Sequence, residues 1–185
     1  MSPTSRAISW TLGVYNGSGA NANDANDDKD FLANVRYAKG DMNLGFSGYV
    51  GKMNSASTPA NPAADKVRLG GDLQYYWNSL TFKGEWVRGK GVEGYSTAFA
   101  PDQWISGGYG QLAYQITRNY TLVGKFFTIS EDPRYPKYEN RTGWDLGLIR
   151  WLDDNTRWKL FYQINKEEKK EFDNDVLTFE WISKY

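Results

Sequence analysis

The 185-residue chain contains no cysteine and no histidine. Without cysteine there is no disulfide frame, no thiolate nucleophile and no cysteine zinc site. Without histidine, Ser-His-Asp hydrolysis, imidazole general bases and the usual histidine metal sites are excluded. No cofactor, metal or enzymatic activity is therefore expected. No stretch approaches the roughly 20 apolar residues of a transmembrane helix. Neither sign of charge is in excess: 22 basic residues balance 22 acidic ones, so no basic footprint points to nucleic acid. The N-terminus, "MSPTSRAISW", lacks the basic segment and apolar run of a secretory signal. A secreted or outer-membrane protein needs one. On that reading it has been removed, or the chain starts inside a longer protein.

What is abundant points to strands. Aromatic residues make up 16% of the chain and there are 19 glycines against 6 prolines, a balance that favours many strands over helices. The length suits one domain. A mean hydropathy of −0.67 is compatible with a membrane β-barrel, whose strands are apolar on one face only.

The closing stretch "LTFEWISKY" shows the pattern: Leu177, Phe179 and Trp181 alternate with Thr178, Glu180 and Ile182. Such alternation recurs ten times along the chain, in segments of about 9–12 residues, the length a tilted strand needs to cross a bilayer. The earlier segments are 7–16 (Ile8, Trp10, Leu12 and Val14 on the apolar face), 31–38 (Phe31, Ala33, Val35, Tyr37), 42–51 (Met42, Leu44, Phe46, Val50), 67–77 (Val67, Leu69, Leu73, Tyr75, Trp77) and 80–88 (Leu80, Phe82, Trp86). Segment 104–117 is Gly-rich and less clearly phased, with Leu112, Tyr114 and Ile116 marking its apolar end. Segment 120–129 fits either phase, and Lys125 on one side favours Leu122, Gly124 and Phe126 on the other. Trp144, Leu146 and Leu148 define the eighth, and Trp158, Leu160, Tyr162 and Ile164 the ninth.

The connections alternate in length. "KGD", "NS", "TRN" and "DDNT" are tight turns built from residues that tolerate hairpin dihedrals. Between them lie polar loops such as "GSGANANDANDDKD", "KMNSASTPANPAADK" and "SEDPRYPKYENRT". Long loops at one end and short turns at the other are the signature of an outer-membrane barrel. If the long loops are extracellular, both termini are periplasmic. Tyr37, Tyr75, Trp77, Phe82, Tyr114, Tyr120, Trp158 and Tyr185 then fall near the turn end, and Phe31, Trp86, Trp104 and Trp144 near the loop end. Those are the two aromatic belts of a bilayer-spanning wall. The expected fold class is all-β: a transmembrane antiparallel up-and-down β-barrel, with about ten strands in this chain. Residues 7–185 form the barrel, and residues 1–6 an extension or the remnant of an upstream strand or turn.

The hairpin "WDLGLIRWLDDNTRWKLFYQI" resembles the last hairpin but one of the phosphate-selective porin O and P family, through Leu146-Gly147-Leu148, Leu152 to Arg157, Lys159-Leu160 and Tyr162. "LVGKFFTIS" is similar to that family's preceding up-strand, with Phe127 where an acidic residue is common, and "GGYGQLAYQIT" to the strand before it. Tyr185 resembles the terminal aromatic read by the barrel-assembly machinery, although Ser183 stands where an apolar residue is usual. The resemblance covers residues 104–185; before that it is architectural. It implies a sixteen-stranded, trimeric outer-membrane porin of Gram-negative bacteria, of which these would be the last ten strands, in contact with lipid bilayer and lipopolysaccharide. It implies ion transport, with anions such as phosphate among the solutes. None of the family's selectivity residues maps onto a position here.

The pore-lining candidates are the charges on the polar faces: Arg36, Arg68, Asp72, Lys83, Glu85, Lys125, Asp145, Arg157, Lys159 and Glu180. A ladder of bases along a lumen would concentrate anions, with Lys125 and Arg157 the foremost candidates. The same residues could instead form acid–base pairs that hold the wall together, such as Asp72 near Lys83. "NDANDDKDF" suggests calcium through Asp24, Asn26, Asp28 and Asp30, but Lys29 replaces the required glycine and Val35 the bidentate glutamate, which favours an acidic solvated loop. Asp153 and Asp154 sit in a turn, where aspartate needs no catalytic explanation. Two functions stay open: a porin or porin fragment passing small solutes, or a small closed ten-stranded barrel with a structural or binding role and little conductance. A soluble barrel would need its apolar faces turned inward.

Overall fold

The computed structural model describes residues 6–16, 28–52, 65–90, 104–131, 140–168 and 174–184. They form ten strands: β1 (Arg6–Asn16), β2 (Lys29–Lys39), β3 (Met42–Lys52), β4 (Asp65–Trp77), β5 (Leu80–Lys90), β6 (Ile105–Thr117), β7 (Tyr120–Glu131), β8 (Arg141–Trp151), β9 (Thr156–Glu167) and β10 (Val176–Ser183). Each pairs antiparallel with its sequence neighbours in one sheet of order β1 to β10. This is the up-and-down topology that the alternating connections imply. The sheet is open: among the described residues β1 pairs only with β2, and β10 only with β9.

Register brings the apolar positions of every strand onto one face. One row of paired residues runs Ile8, Tyr37, Leu44, Leu73, Gly84, Gly110, Phe126, Trp144, Ile164. The next row toward the tight turns runs from Arg6 through Met42, Tyr75, Phe82 and Leu146 to Leu177. The apolar band crosses these rows obliquely. On β1 it covers Ile8 to Val14, all on the loop side of Arg6. On β10 it starts at Leu177, in Arg6's own row, and continues turnward through Phe179 and Trp181. A band that is level in a bilayer but oblique to the rows means tilted strands, as barrel closure requires.

The apolar face covers no core. Ile8, Trp10 and Leu12 are 70, 69 and 69% exposed, whereas Val123, at 6%, is the one buried hydrophobic residue among those described. A water-soluble sheet would have to bury such a face. The soluble-barrel reading, with apolar faces inward, is thus reversed. Crowding lies on the opposite, polar face, where Asp30 is fully buried and Lys66 is 2% exposed.

Each tight turn has its own local cause. Gly40 and Asn78 take positive φ values of 54° and 51°, the left-handed conformation that two-residue hairpins require. The Thr117 hydroxyl accepts the N–H groups of Asn119 and Tyr120 at 3.3 and 3.2 Å. The Asp153 carboxylate accepts those of Asn155 and Thr156, both at 2.7 Å. These hydrogen bonds, that from the Asn155 N–H foremost, hold the Asp153 carboxyl below its ordinary pKa against the opposing effect of desolvation.

Candidate functional site: the polar face of the sheet

All ten charged candidates share the polar face, because each stands an odd number of residues from its strand's apolar positions and register preserves that phase across the sheet. One row runs Arg36, Gly45, Asp72, Glu85, Tyr109. The next, turnward, runs Gln74, Lys83, Gln111, Lys125, Asp145. Lys159 pairs with Glu180 nearer the turns, followed by Arg157 opposite Trp151. Arg68 lies toward the loop end, opposite Tyr49.

Many of these charges are neutralised locally. Lys125 meets Asp145 at 3.1 Å and Lys159 meets Glu180 at 2.7 Å, each directly across a strand pair. Asp72 pairs with Arg36 at 3.0 Å rather than with Lys83. Register explains why: Asp72 faces Glu85 on β5, a like charge, while Gly45 on β3 leaves the space above it empty, so Arg36 reaches over from β2. Arg36, Asp72, Gln74, Lys83, Glu85 and Tyr109 surround a polar recess of about 260 Å³. Lys83 and Glu85 make no ion pair among the described residues.

The two foremost bases sit differently. Lys125 lies between the rings of Tyr109 and Phe127, 5.4 Å from each centroid, in addition to its aspartate. Arg157 packs its guanidinium 4.6 Å above the Trp151 ring, with its Nε buried and without a hydrogen-bond partner among the described residues. They stand in different rows, Lys125 between Gln111 and Asp145 and Arg157 opposite Trp151. Arg68 stacks on Tyr49 at 5.0 Å. Aromatic faces attract these cations and hold them against the wall without neutralising them.

A second glycine-bridged pair lies at the loop end, and sequence reasoning missed it. Gly51 on β3 pairs with Lys66 on β4, and Asp30 on β2, one residue beyond the Phe31–Val50 pair, lays its carboxylate over Gly51. The Asp30 carboxylate accepts the Tyr49 hydroxyl, the Lys52 backbone N–H at 3.2 Å and the Lys66 ammonium at 3.3 Å. Asp30 is thus a buried anion within β2, not part of the solvated acidic loop expected for it; Asp28 pairs with Lys52 at 3.2 Å. Asp24 and Asn26 lie outside the described residues, among which no group of acidic side chains could hold a metal ion. The signal that could have exposed the pair was Gly45 and Gly51 on the polar face of a strand, where glycine marks close approach by a neighbouring side chain.

The aromatic belts fall on the apolar face as expected, with Trp77 60% exposed at the turn end and Trp144 52% exposed toward the loops. Tyr185, the expected sorting residue, lies outside the described residues.

Ten antiparallel strands with an apolar face open to lipid and a charged face opposite define the wall of a transmembrane β-barrel. Its fold is similar to part of a porin: a porin structure refined at 1.8 Å resolution superimposes on all of this chain with a TM-score of 0.70 and 12% sequence identity. The chain spans 59% of that porin's length. No protein-family model and no curated protein matches the chain.

Proposed function

We propose that the chain forms wall of an outer-membrane pore through which small hydrophilic solutes diffuse passively, without catalysis. The observation that carries this reading is the segregation of the ten charged side chains onto the face opposite an uncovered apolar band. Among the described residues the outer edges of β1 and β10 have no strand partner, and exposed strand edges are templates for further pairing, which favours a wider barrel over a small closed one. Barrels of about 16–18 strands leave an aqueous channel. The likeness to a porin supports the same reading.

Selectivity in this pore is modest and leans to anions. Arg36, Lys125 and Lys159 are each cancelled by an acid, leaving Arg68, Lys83 and Arg157 without acidic partners among the described residues, against Glu85. Phosphate belongs to the accepted class through charge alone. The sequence resemblance supports periplasmic termini, a homotrimer, contact with lipopolysaccharide and delivery by the barrel-assembly machinery.

Single-channel recording of the refolded chain in a planar bilayer, with a salt gradient, tests the proposal. Stable conductance steps with a small anion-sided reversal potential are expected. A folded protein shown to cross the bilayer as a closed barrel, yet silent, would overturn it.

A further inference from the structure

The apolar face carries a groove that the alternation pattern does not require. Gly124 on β7 sits between Leu112 on β6 and Leu146 on β8, and a Cβ at Gly124 would meet no atom within 4 Å. The missing side chain opens a groove of about 570 Å³, walled by Leu112, Tyr114, Leu122, Leu146, Leu148 and Tyr162. Its surface is almost wholly hydrocarbon, and its volume lies within the ~300–1,000 Å³ of ordinary ligand pockets.

A cation stands at the turn end of this groove. Arg150 follows Leu148 by two residues on β8, so it projects from the same face one step, about 7 Å, further along. It lies in the row Tyr120, Arg150, Trp158, Trp181. Its neighbours there are aromatic, and its guanidinium rests 5.5 Å from the Tyr120 centroid. Arg150 is exposed and makes no ion pair among the described residues. An arginine on the lipid face costs little near an interface and several kcal/mol at the bilayer midplane. Arg150 therefore marks headgroup depth, and the groove runs from it into the hydrocarbon.

We infer that this surface is a binding site for one phospholipid, with the headgroup phosphate on the Arg150 guanidinium and an acyl chain in the groove over Gly124. Charge complementarity selects the occupant. A wholly apolar partner would leave Arg150 unsatisfied, and a soluble anion would leave the groove unused. The Tyr120 ring holds the guanidinium in place, so less side-chain freedom is lost on binding. This role is separate from solute passage, because Arg150 and the groove face away from the lumen.

Native mass spectrometry of the full chain in non-ionic detergent, titrated with phosphatidylglycerol, provides the test. A retained one-lipid adduct is expected, with much weaker retention of diacylglycerol, which has the chains but no phosphate. Arg150→Gln should weaken the adduct about fivefold, the worth of one basic residue at an anionic surface. Gly124→Phe, which fills open space and leaves the wall intact, should remove it. Arg88→Gln, which deletes an outward arginine stacked 4.8 Å from Trp104 at the loop end, should leave it unchanged. Equal retention of phosphatidylglycerol and diacylglycerol by the unaltered protein would overturn the site without recourse to any variant. So would equal losses from Arg150→Gln and Arg88→Gln. A Gly124→Phe chain that changes oligomeric state but keeps its lipid would assign the groove to a second copy instead.

Discussion

Asp30 and Lys66 belong to strands that do not pair with each other, yet their side chains meet at 3.3 Å above Gly51 of the strand between them. Arg36 and Asp72 repeat the arrangement above Gly45, with the acid and base exchanged between β2 and β4. Each pair clamps three strands where an ordinary cross-strand pair joins two. Gly45 and Gly51 are the condition for both, because a methyl group at either would overlap the carboxylate above it.

Gly51→Val should therefore break the buried clamp. Disrupting a buried ion pair costs on the order of 3 kcal/mol, and the effect should be read as a lower urea midpoint in detergent. Gly110→Ala, at a position with no atom within 4 Å of a new Cβ, should leave the midpoint close to that of the unaltered chain. Asp30→Leu combined with Lys66→Met should cost less than Lys66→Met alone, which leaves an uncompensated buried carboxylate. If Gly51→Val and Gly110→Ala behave alike, the clamp contributes nothing.

Asp145 holds Lys125 in an ion pair on the polar face. Asp145→Asn should release that charge and move the reversal potential in a salt gradient toward anions, while Lys125→Gln moves it toward cations. Opposite shifts of similar size are expected for two groups at one place in a pore. Shifts of the same sign would place the pair outside the ion path.

The carboxylate of Asp153 closes the β8–β9 turn and has a lowered pKa because it accepts the Asn155 and Thr156 N–H groups. An unfolded aspartate titrates near ~3.9. The turn's contribution is therefore complete above that value and is lost as pH falls through the lower folded value. Asp153→Ala should lower thermal stability at neutral pH, and the gap from the unaltered chain should narrow on acidification below pH ~4. A gap independent of pH would remove the carboxylate from the explanation. Asp175 is lowered in the same direction, first by the Tyr162 hydroxyl and then by the Asn165 N–H, and should behave alike.

Charge on the two faces should have unequal effects. Leu146→Arg places a cation in the apolar band, at an expected cost of about 2–4 kcal/mol near the bilayer midplane. Gln111→Arg on the polar face, between Lys83 and Lys125, should fold with little loss. Folding yield into vesicles and urea midpoints separate the two. Equal penalties would contradict the assignment of faces.

Strand phase was legible because a period of two survives any uncertainty about where a strand ends. Trp144 and Ile164, or Leu160 and Phe179, could be placed on one face without knowing which residues pair. The turns were legible through Gly40, Asn78 and Asp153, whose backbone needs are local. The Asp30–Lys66 and Arg36–Asp72 pairs were not, since each depends on register across two strand interfaces and on a glycine that looks, in one strand, like a defect. Asp30 was further masked by the acidic run before it. The same limit hid the lipid-facing groove: Gly124 is unremarkable until Leu112 and Leu146 are known to flank it.

The absence of native cysteine allows the central claim to be tested by single-cysteine spin labelling along β8, in lipid vesicles. Labels at positions 144, 146 and 148 should collide with oxygen dissolved in the hydrocarbon and be shielded from a water-soluble nickel chelate. Labels at 143, 145 and 147 should show the reverse. That alternation is expected of a wall with lipid on one face and a water-filled lumen on the other. Labels at 144, 146 and 148 shielded from both reagents would mean a protein core behind the apolar face, and would contradict the account.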